Sequence, residues 1–293
     1  MPSVTSNRSY GCALATRRSF VLDGLTLRAL EWGTPGRPAL CFLHGGSAHA
    51  HWFDAVAPSF ADRYHILSLD QRGHGESDWA APASEGSSYA TEQFAGDLLR
   101  LMDAVGWRAM RICGHSMGGH NAMAFSAWHP ERVRALIVAD SRPSIPADRL
   151  DLMHRRGHRG PRRHHTLDAA LQSFRLLPPE TAADPALLEH LAREGIVERE
   201  GRFVYRFDPA SNGVRQPVDI WPLLGRIAAP TLLVRGEHSR VLPRAMAQEM
   251  ADRIPRVRLA EIPGAYHHLV LDQPAAFAAT LDRFLAEVDG GAS

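Results

Sequence analysis

Hydrophobic residues in this chain gather into short, nearly unbroken runs separated by longer segments of mixed polarity. Residues 39–43, 64–69, 110–113, 134–139, 231–234 and 256–261 are such runs, and their length and bounding Gly, Pro and charged positions predict strands. Residues 20–23 and 25–32, split by Asp23-Gly24, read as a hairpin leading into the same sheet. Strands alternating with helix-length intervals predict a mainly parallel, eight-stranded α/β sheet with helices on both faces. The rhythm breaks over residues 141–225, where amphipathic segments around 167–176 and 185–193 precede an extended stretch at 203–207. The pattern predicts a cap inserted after the sixth strand, above the carboxyl ends where open α/β sheets bind ligands. The expected division is a tail at 1–18, a core at 19–140 and 226–293, and a cap or lid at 141–225.

Composition adds bounds to this picture. With 293 residues, 45% of them hydrophobic, the chain can bury the core of one large domain carrying an insertion. A net charge of +1 gives no global field for nucleic acid or an anionic membrane. All 33 basic residues are arginine, so the basic stretch Arg155, Arg156, Arg159, Arg162 and Arg163 with four histidines reads first as a solvated face. Docking of an acidic partner, such as a carrier protein, is its alternative reading. Cys12, Cys41 and Cys113 lack metal-ligand spacing, and two of them fall in expected strands, which predicts reduced, buried thiols. No apolar run reaches membrane-spanning length, and the N-terminus lacks the apolar core of a signal peptide. The expectation is a cytoplasmic protein acting on a small-molecule substrate, without metal or cofactor. A homodimer is left open.

The candidate chemistry lies in Gly114-His115-Ser116-Met117-Gly118, placed between the run at 110–113 and a helical segment at 120–128. G-x-S-x-G at a strand-to-helix turn presents a serine hydroxyl on a strained elbow that only small flanking residues permit. The pattern alone is weak, and its ordered companions strengthen it. Upstream, an apolar run ends in His44-Gly45-Gly46-Ser47, followed by Asp70-Gln71-Arg72-Gly73-His74-Gly75-Glu76-Ser77. Downstream, Ile262-Pro263-Gly264-Ala265-Tyr266-His267 closes the last strand.

In these residues the chain resembles the α/β-hydrolase superfamily, over roughly residues 20–285 by motif spacing. The resemblance implies a cofactor-independent serine hydrolase, esterase-like, working through an acyl-enzyme. Ser116 is the implied nucleophile and His267 the base. The backbone of Gly46 and Met117 forms the implied oxyanion hole. Ser47 offers a further donor or a helix cap, and Trp52 and Phe53 are candidate pocket walls. His268 and the polar residues of 70–77 are expected to support the site rather than react.

The acid departs from the family's commonest pattern. Where an aspartate is usual after the strand at 231–234, the chain reads Gly236-Glu237-His238-Ser239-Arg240, with neutral Ser239 at the expected place. A serine cannot stabilise an imidazolium. Asp140, at the end of the strand 134–139, is the expected acid, and Glu237 is the alternative. The same triad also serves thioester, lactone, amide and carbon-carbon hydrolysis, and a non-catalytic receptor is the reading that Ser239 keeps alive.

Overall fold

The structure, a computed structural model, describes residues 15–82 and 86–291. The chain opens with β1 (Thr16–Leu22) and β2 (Leu25–Trp32), followed by β3 (Ala39–Leu43) and β4 (His65–Asp70). Then come α1 (Thr91–Ala104), β5 (Met110–His115), α2 (Met117–Trp128) and β6 (Val133–Ala139). After β6 the chain leaves the sheet through α3 (Ala147–Gly157), α4 (Leu167–Ser173) and α5 (Pro185–Glu194). The same excursion adds a hairpin of β7 (Ile196–Arg199) and β8 (Arg202–Tyr205), then α6 (Ala210–Gly213). It returns as β9 (Thr231–Gly236), α7 (Arg244–Ala251), β10 (Val257–Ile262), α8 (Leu269–Asp272) and α9 (Pro274–Gly290).

Eight strands form one sheet in the order β1-β2-β4-β3-β5-β6-β9-β10. Pairing is antiparallel from β1 through β2 to β4 and parallel elsewhere. The expected parallel α/β sheet is thus the one observed. Every residue of β3, β4 and β9 is buried, which explains their unbroken apolar runs, because helices cover both faces of central parallel strands. Alternate residues divide between two cores. Cys41, Leu43 and Ile112 join Leu98, Met123 and Met250 on one face, while Phe42, Ile66 and Cys113 meet Phe53, Phe277 and Leu281 on the other.

Two boundaries differ from the sequence expectation. Thr16, Arg17 and Arg18, assigned to a tail, pair with Glu31, Leu30 and Ala29 in the β1–β2 ladder. Their polarity misleads because β1 is an edge strand with its outer face exposed. Residues 1–14, the rest of the expected tail, lie outside the described residues, as does Cys12. Cys41 and Cys113 are free and buried, and burial pushes the Cys41 thiol up to about 12. The second difference is the helix that Ser47 was expected to cap, over residues 52–60, which is instead two short 3-10 turns, Ala50–Phe53 and Ala57–Phe60. Pro58 falls inside the second turn and supplies no backbone donor. Among the described residues, no helix is long and apolar enough to cross a membrane.

The topology creates the site. From β3 the chain moves outward to β4, and from β5 it moves the opposite way to β6, so the crevice at the switch lies between the carboxyl ends of β3 and β5. Gly45 and Ser116 sit at those two ends.

Candidate active site

Ser116 occupies the turn between β5 and α2 at φ +51 and ψ −115, a region costly for any residue with a Cβ. Packing enforces the turn. A Cβ on Gly114 would clash with the Gly118 carbonyl, and one on Gly118 with the carbonyls of Leu43 and His44. Only glycine lets β3, β5 and α2 approach this closely. The Ser116 N–H donates to the Ala139 oxygen at 3.0 Å, pinning the elbow to β6, while the side chain stays partly accessible.

His267 follows β10 and reaches back over the elbow. Its Nε2 lies 3.1 Å from Ser116 Oγ, and its Nδ1 lies 2.9 Å from Asp140 Oδ1. A carboxylate accepts only, so Nδ1 carries the proton, and Nε2 accepts from the serine hydroxyl. Burial lowers the His267 imidazole well below its ordinary range, keeping it neutral and able to take a proton.

Asp140 is fully buried at the end of β6, in a left-handed turn at φ +46 that aspartate tolerates better than most residues. Burial raises its carboxyl pKa; the Ser239 hydroxyl at 2.6 Å and the Gly236 N–H at 2.8 Å pull the other way. Ser239, which sequence reading treated only as a missing acid, therefore donates to the acid that stands beside it. Glu237 is exposed, and its carboxylate accepts the Gly264 N–H at 2.8 Å. The structure brings Ser116, His267 and Asp140 together in one hydrogen-bonded chain and leaves Glu237 outside it.

The loop after β3 presses against the elbow. A Cβ on Gly45 would come within 3.3 Å of Ser116 Cβ, and one on Gly46 within 4.0 Å of Met117 Sδ. Met117 is the first residue of α2, so its N–H has no intrahelical acceptor. Ser47 caps no helix, which corrects one of its two expected roles. At φ +59 its hydroxyl accepts instead from Asn212 Nδ2 at 3.2 Å, tying the loop to α6.

Trp52 and Phe53, expected in the pocket wall, belong to the core. Phe53 is 0% exposed with its ring 4.7 Å from Phe42, and Trp52 stands edge-on to His49 and His268. All four residues of the 3-10 turn are buried, and Trp52 and Phe53 pack in one cluster with Leu40 and Leu269. The cavity that does reach His267 holds about 560 Å³ and is walled by Pro178, Pro179 and Glu180 from the insertion, with Arg149, Arg240 and Tyr266.

The 70–77 segment is a bonded scaffold. Asp70 accepts the N–H groups of Ala50 and Glu76, Arg72 forks onto Asp97 with both bonds at 2.6 Å, and Ser77 Oγ donates to the Asp70 carbonyl. His268 donates to the Pro178 carbonyl at 2.9 Å. Sequence reasoning missed His115, whose Nε2 donates to the His267 carbonyl at 2.9 Å and so fixes the base loop. Its place as the variable residue beside the nucleophile was the available signal.

A sheet of this order, with a serine elbow after its fifth strand and a histidine loop after its last, defines an α/β-hydrolase. The chain belongs to the family described as serine aminopeptidase, S33 (Hydrolase_4), whose model matches residues 34–274. It is similar to a serine hydrolase-like protein of Danio rerio, 27% identical with 88% of this chain and 85% of that protein covered. A 2-(acetamidomethylene)succinate hydrolase of Mesorhizobium japonicum is 26% identical, over 84% of this chain and 86% of that one. In fold, the chain resembles the crystal structure of an E-2-(acetamidomethylene)succinate hydrolase, with a TM-score of 0.80, 23% identity, and 92% and 99% of the two chains covered.

Proposed function

We propose that this hydrolase cleaves carboxylic esters through an acyl-enzyme. The observation that carries the proposal is the continuous path from Ser116 Oγ through the His267 ring to Asp140 Oδ1, with contacts of 3.1 and 2.9 Å. Ser116 attacks the acyl carbon while His267 Nε2 takes its proton. Asp140 holds the Nδ1 proton in place and stabilises the imidazolium. The carbonyl oxygen becomes an anion and is met by the backbone N–H groups of Gly46 and Met117, at the start of α2 where the helix end favours negative charge. His267 returns the proton to the leaving alkoxide, and water then repeats the cycle to free the acid.

The segment between β6 and β9 acts as the cap. Asn212 meeting Ser47 and Pro178 meeting His268 support this role, since both contacts join the insertion to loops beside the nucleophile. The non-catalytic receptor reading loses its motive, because a carboxylate does face His267. Names among the relatives differ in substrate, so the bond cleaved is inferred from the site rather than carried over.

The test is labelling with a fluorophosphonate, located by peptide mass spectrometry, together with burst kinetics on p-nitrophenyl acetate. Modification of Ser116 and a burst of one nitrophenol per chain are expected, both lost in Ser116→Ala. An unlabelled, inert wild-type protein would overturn the proposal.

A further inference from the structure

Three side chains that the proton path leaves aside converge where the insertion meets the core. His51 lies in the 3-10 turn Ala50–Phe53, Asp54 follows that turn directly, and His190 stands on α5. His51 Nδ1 and His190 Nε2 each lie 2.8 Å from the same atom, Asp54 Oδ2. One ligand atom from each residue falls within 4.8 Å of the others. His51 and Asp54 are buried and His190 is partly exposed, so the cluster is sheltered by the core and reached by solvent at His190. With both imidazoles on one oxygen, Asp54 Oδ1 is buried and has no partner among the described residues. A buried carboxylate oxygen is normally met by a donor or a cation, because desolvating it without one is costly.

The surroundings match those of a metal ligand set. A histidine ligand commonly gives its second ring nitrogen to a carboxylate, which fixes the tautomer and orients the ring. Glu194, one turn beyond His190 on α5, places Oε2 3.3 Å from His51 Nε2, and Arg17 Nη2 stands 3.3 Å from the same carboxylate oxygen. A hydrogen on Nε2 facing Glu194 leaves the Nδ1 lone pair of His51 aimed at Asp54. Four-coordinate zinc, with bonds of about 2.0–2.1 Å, holds neighbouring donors about 3.3 Å apart. The 2.8 Å pairs and the 4.8 Å limit bracket that spacing. Two imidazoles and a carboxylate suit zinc and its transition-metal neighbours, whereas magnesium and calcium call for oxygen ligands. Bidentate coordination by Asp54 would engage the orphaned Oδ1 as well as Oδ2. His115, His267 and His268 also approach one another closely enough, but both ring nitrogens of His267 are committed, to Asp140 and Ser116.

We propose that His51, Asp54 and His190 bind a zinc ion that clamps α5 of the insertion to the turn following the Gly45-Gly46 loop. The ion is structural, and neither its binding nor its test depends on which bond the enzyme cleaves. Helix α5 is also seated on this segment by His49 Nε2, which donates to the Leu191 carbonyl at 3.0 Å, so removing one ligand should not unfold the insertion.

The experiment uses the untagged chain, stripped with EDTA and desalted. Zinc is titrated in competition with a chromophoric chelator for wild type, His190→Gln, Asp54→Asn, Glu194→Gln and His267→Gln, and cobalt binding is followed by visible absorption. Wild type should bind one zinc per chain. His190→Gln and Asp54→Asn should lose about a hundredfold or more in affinity and Glu194→Gln about tenfold to a hundredfold, while His267→Gln should match wild type. Cobalt should give wild type a visible band that His190→Gln lacks. Because His190 is partly exposed, its variant decides the matter even where the buried Asp54→Asn fails to fold. Zinc should also slow amide hydrogen exchange across residues 185–194 in wild type and not in His190→Gln. No zinc bound by wild type, unchanged affinity in His190→Gln, or a loss confined to His267→Gln, which would put the ion on the catalytic histidine, would each overturn the site. Binding without slower exchange would overturn the clamp.

Discussion

Replacing Asp140 by asparagine keeps the side chain's size and tests the acid directly. Asp140 Oδ1 accepts from His267 Nδ1 and Ser239 Oγ, while Oδ2 accepts from the Gly236 N–H. An amide offers one acceptor atom and one donor atom to three donors. With the amide oxygen toward His267, its NH₂ opposes the Gly236 N–H, and the charge that stabilises the imidazolium is gone. With the amide reversed, NH₂ faces Nδ1, which must then give up its proton to Nε2, leaving no base for Ser116. A buried donor facing a donor costs about 1–3 kcal/mol of stability. The kinetic loss is larger. Asparagine at the acid of such a triad lowers kcat by about 10⁴, which is about 5.4 kcal/mol of transition-state stabilisation at 1.36 kcal/mol per tenfold. Stopped-flow acylation with p-nitrophenyl acetate should show this drop for Asp140→Asn with KM little changed. Glu237→Gln, whose carboxylate touches only loop groups, should stay within about threefold of wild type, since it lies outside the proton path. An active Asp140→Asn beside an inactive Glu237→Gln would refute the reasoning and move the acid to Glu237.

Other consequences can be measured. Ser116→Gly should be inactive yet more stable than wild type by about 1 kcal/mol in urea melts, because glycine relieves the φ +51 elbow; a less stable variant would show that the turn is unstrained. Gly118→Ala should destabilise by about 3 kcal/mol or more, since its Cβ meets backbone carbonyls on β3 that cannot swing aside, and a wild-type melting curve would contradict the packing. Acid stability is set mainly by histidines. Burial lowers His44, His49, His74, His115, His120, His267 and His268, so the unfolded chain takes up protons below its imidazole range of about 6.5 that the folded chain refuses. Each such group makes stability fall by up to about 1.4 kcal/mol per pH unit as pH drops below that point. Asp70 and Asp140, raised by burial to about 6, and His51, raised by the Asp54 carboxylate against the pull of its burial, act in the opposite sense, three groups against seven. Calorimetric melting temperatures should therefore fall steeply from pH 6.5 toward 4.5, and a flat profile would mean that the histidines are not held neutral.

The central strands were legible because burial on both faces leaves an apolar run with nothing to alternate. The elbow was legible because its glycines are sterically required, and Asp140 because it ends a predicted strand. Elements held by partners rather than by their own pattern were missed. The extended stretch at 203–207 anticipated β8, but its partner β7 hides behind Glu198 and Arg199, the turn between them made by Glu200 at φ +51 and Gly201 at φ +67. Helix α3 buries no residue fully, so no apolar stripe announced it. Trp52 and Phe53 could be read as aromatic, but which side of a 3-10 turn they face depends on contacts with Phe42 and His268, far away in sequence. The same holds for Asn212, whose meaning comes only from the loop it meets at Ser47.

Ser239 and Asp140 show why the usual motif was a poor guide to the acid. Strands β6 and β9 are parallel neighbours in the register Ala139 with Val234, and the Asp140 N–H continues that ladder by donating to the Val234 carbonyl at 2.7 Å. The two strands therefore end side by side under the same face of the His267 loop. At φ +46, Asp140 turns its carboxylate toward β9, where Gly236 and Ser239 donate to it. A carboxylate arriving from either strand end can face Nδ1, provided that the other end supplies donors rather than a second charge, since two carboxylates this close could not both ionise. Serine at 239 is then the complement of aspartate at 140. The base needs a negative charge at one point in space, and adjacent parallel strands give the chain two positions from which to deliver it.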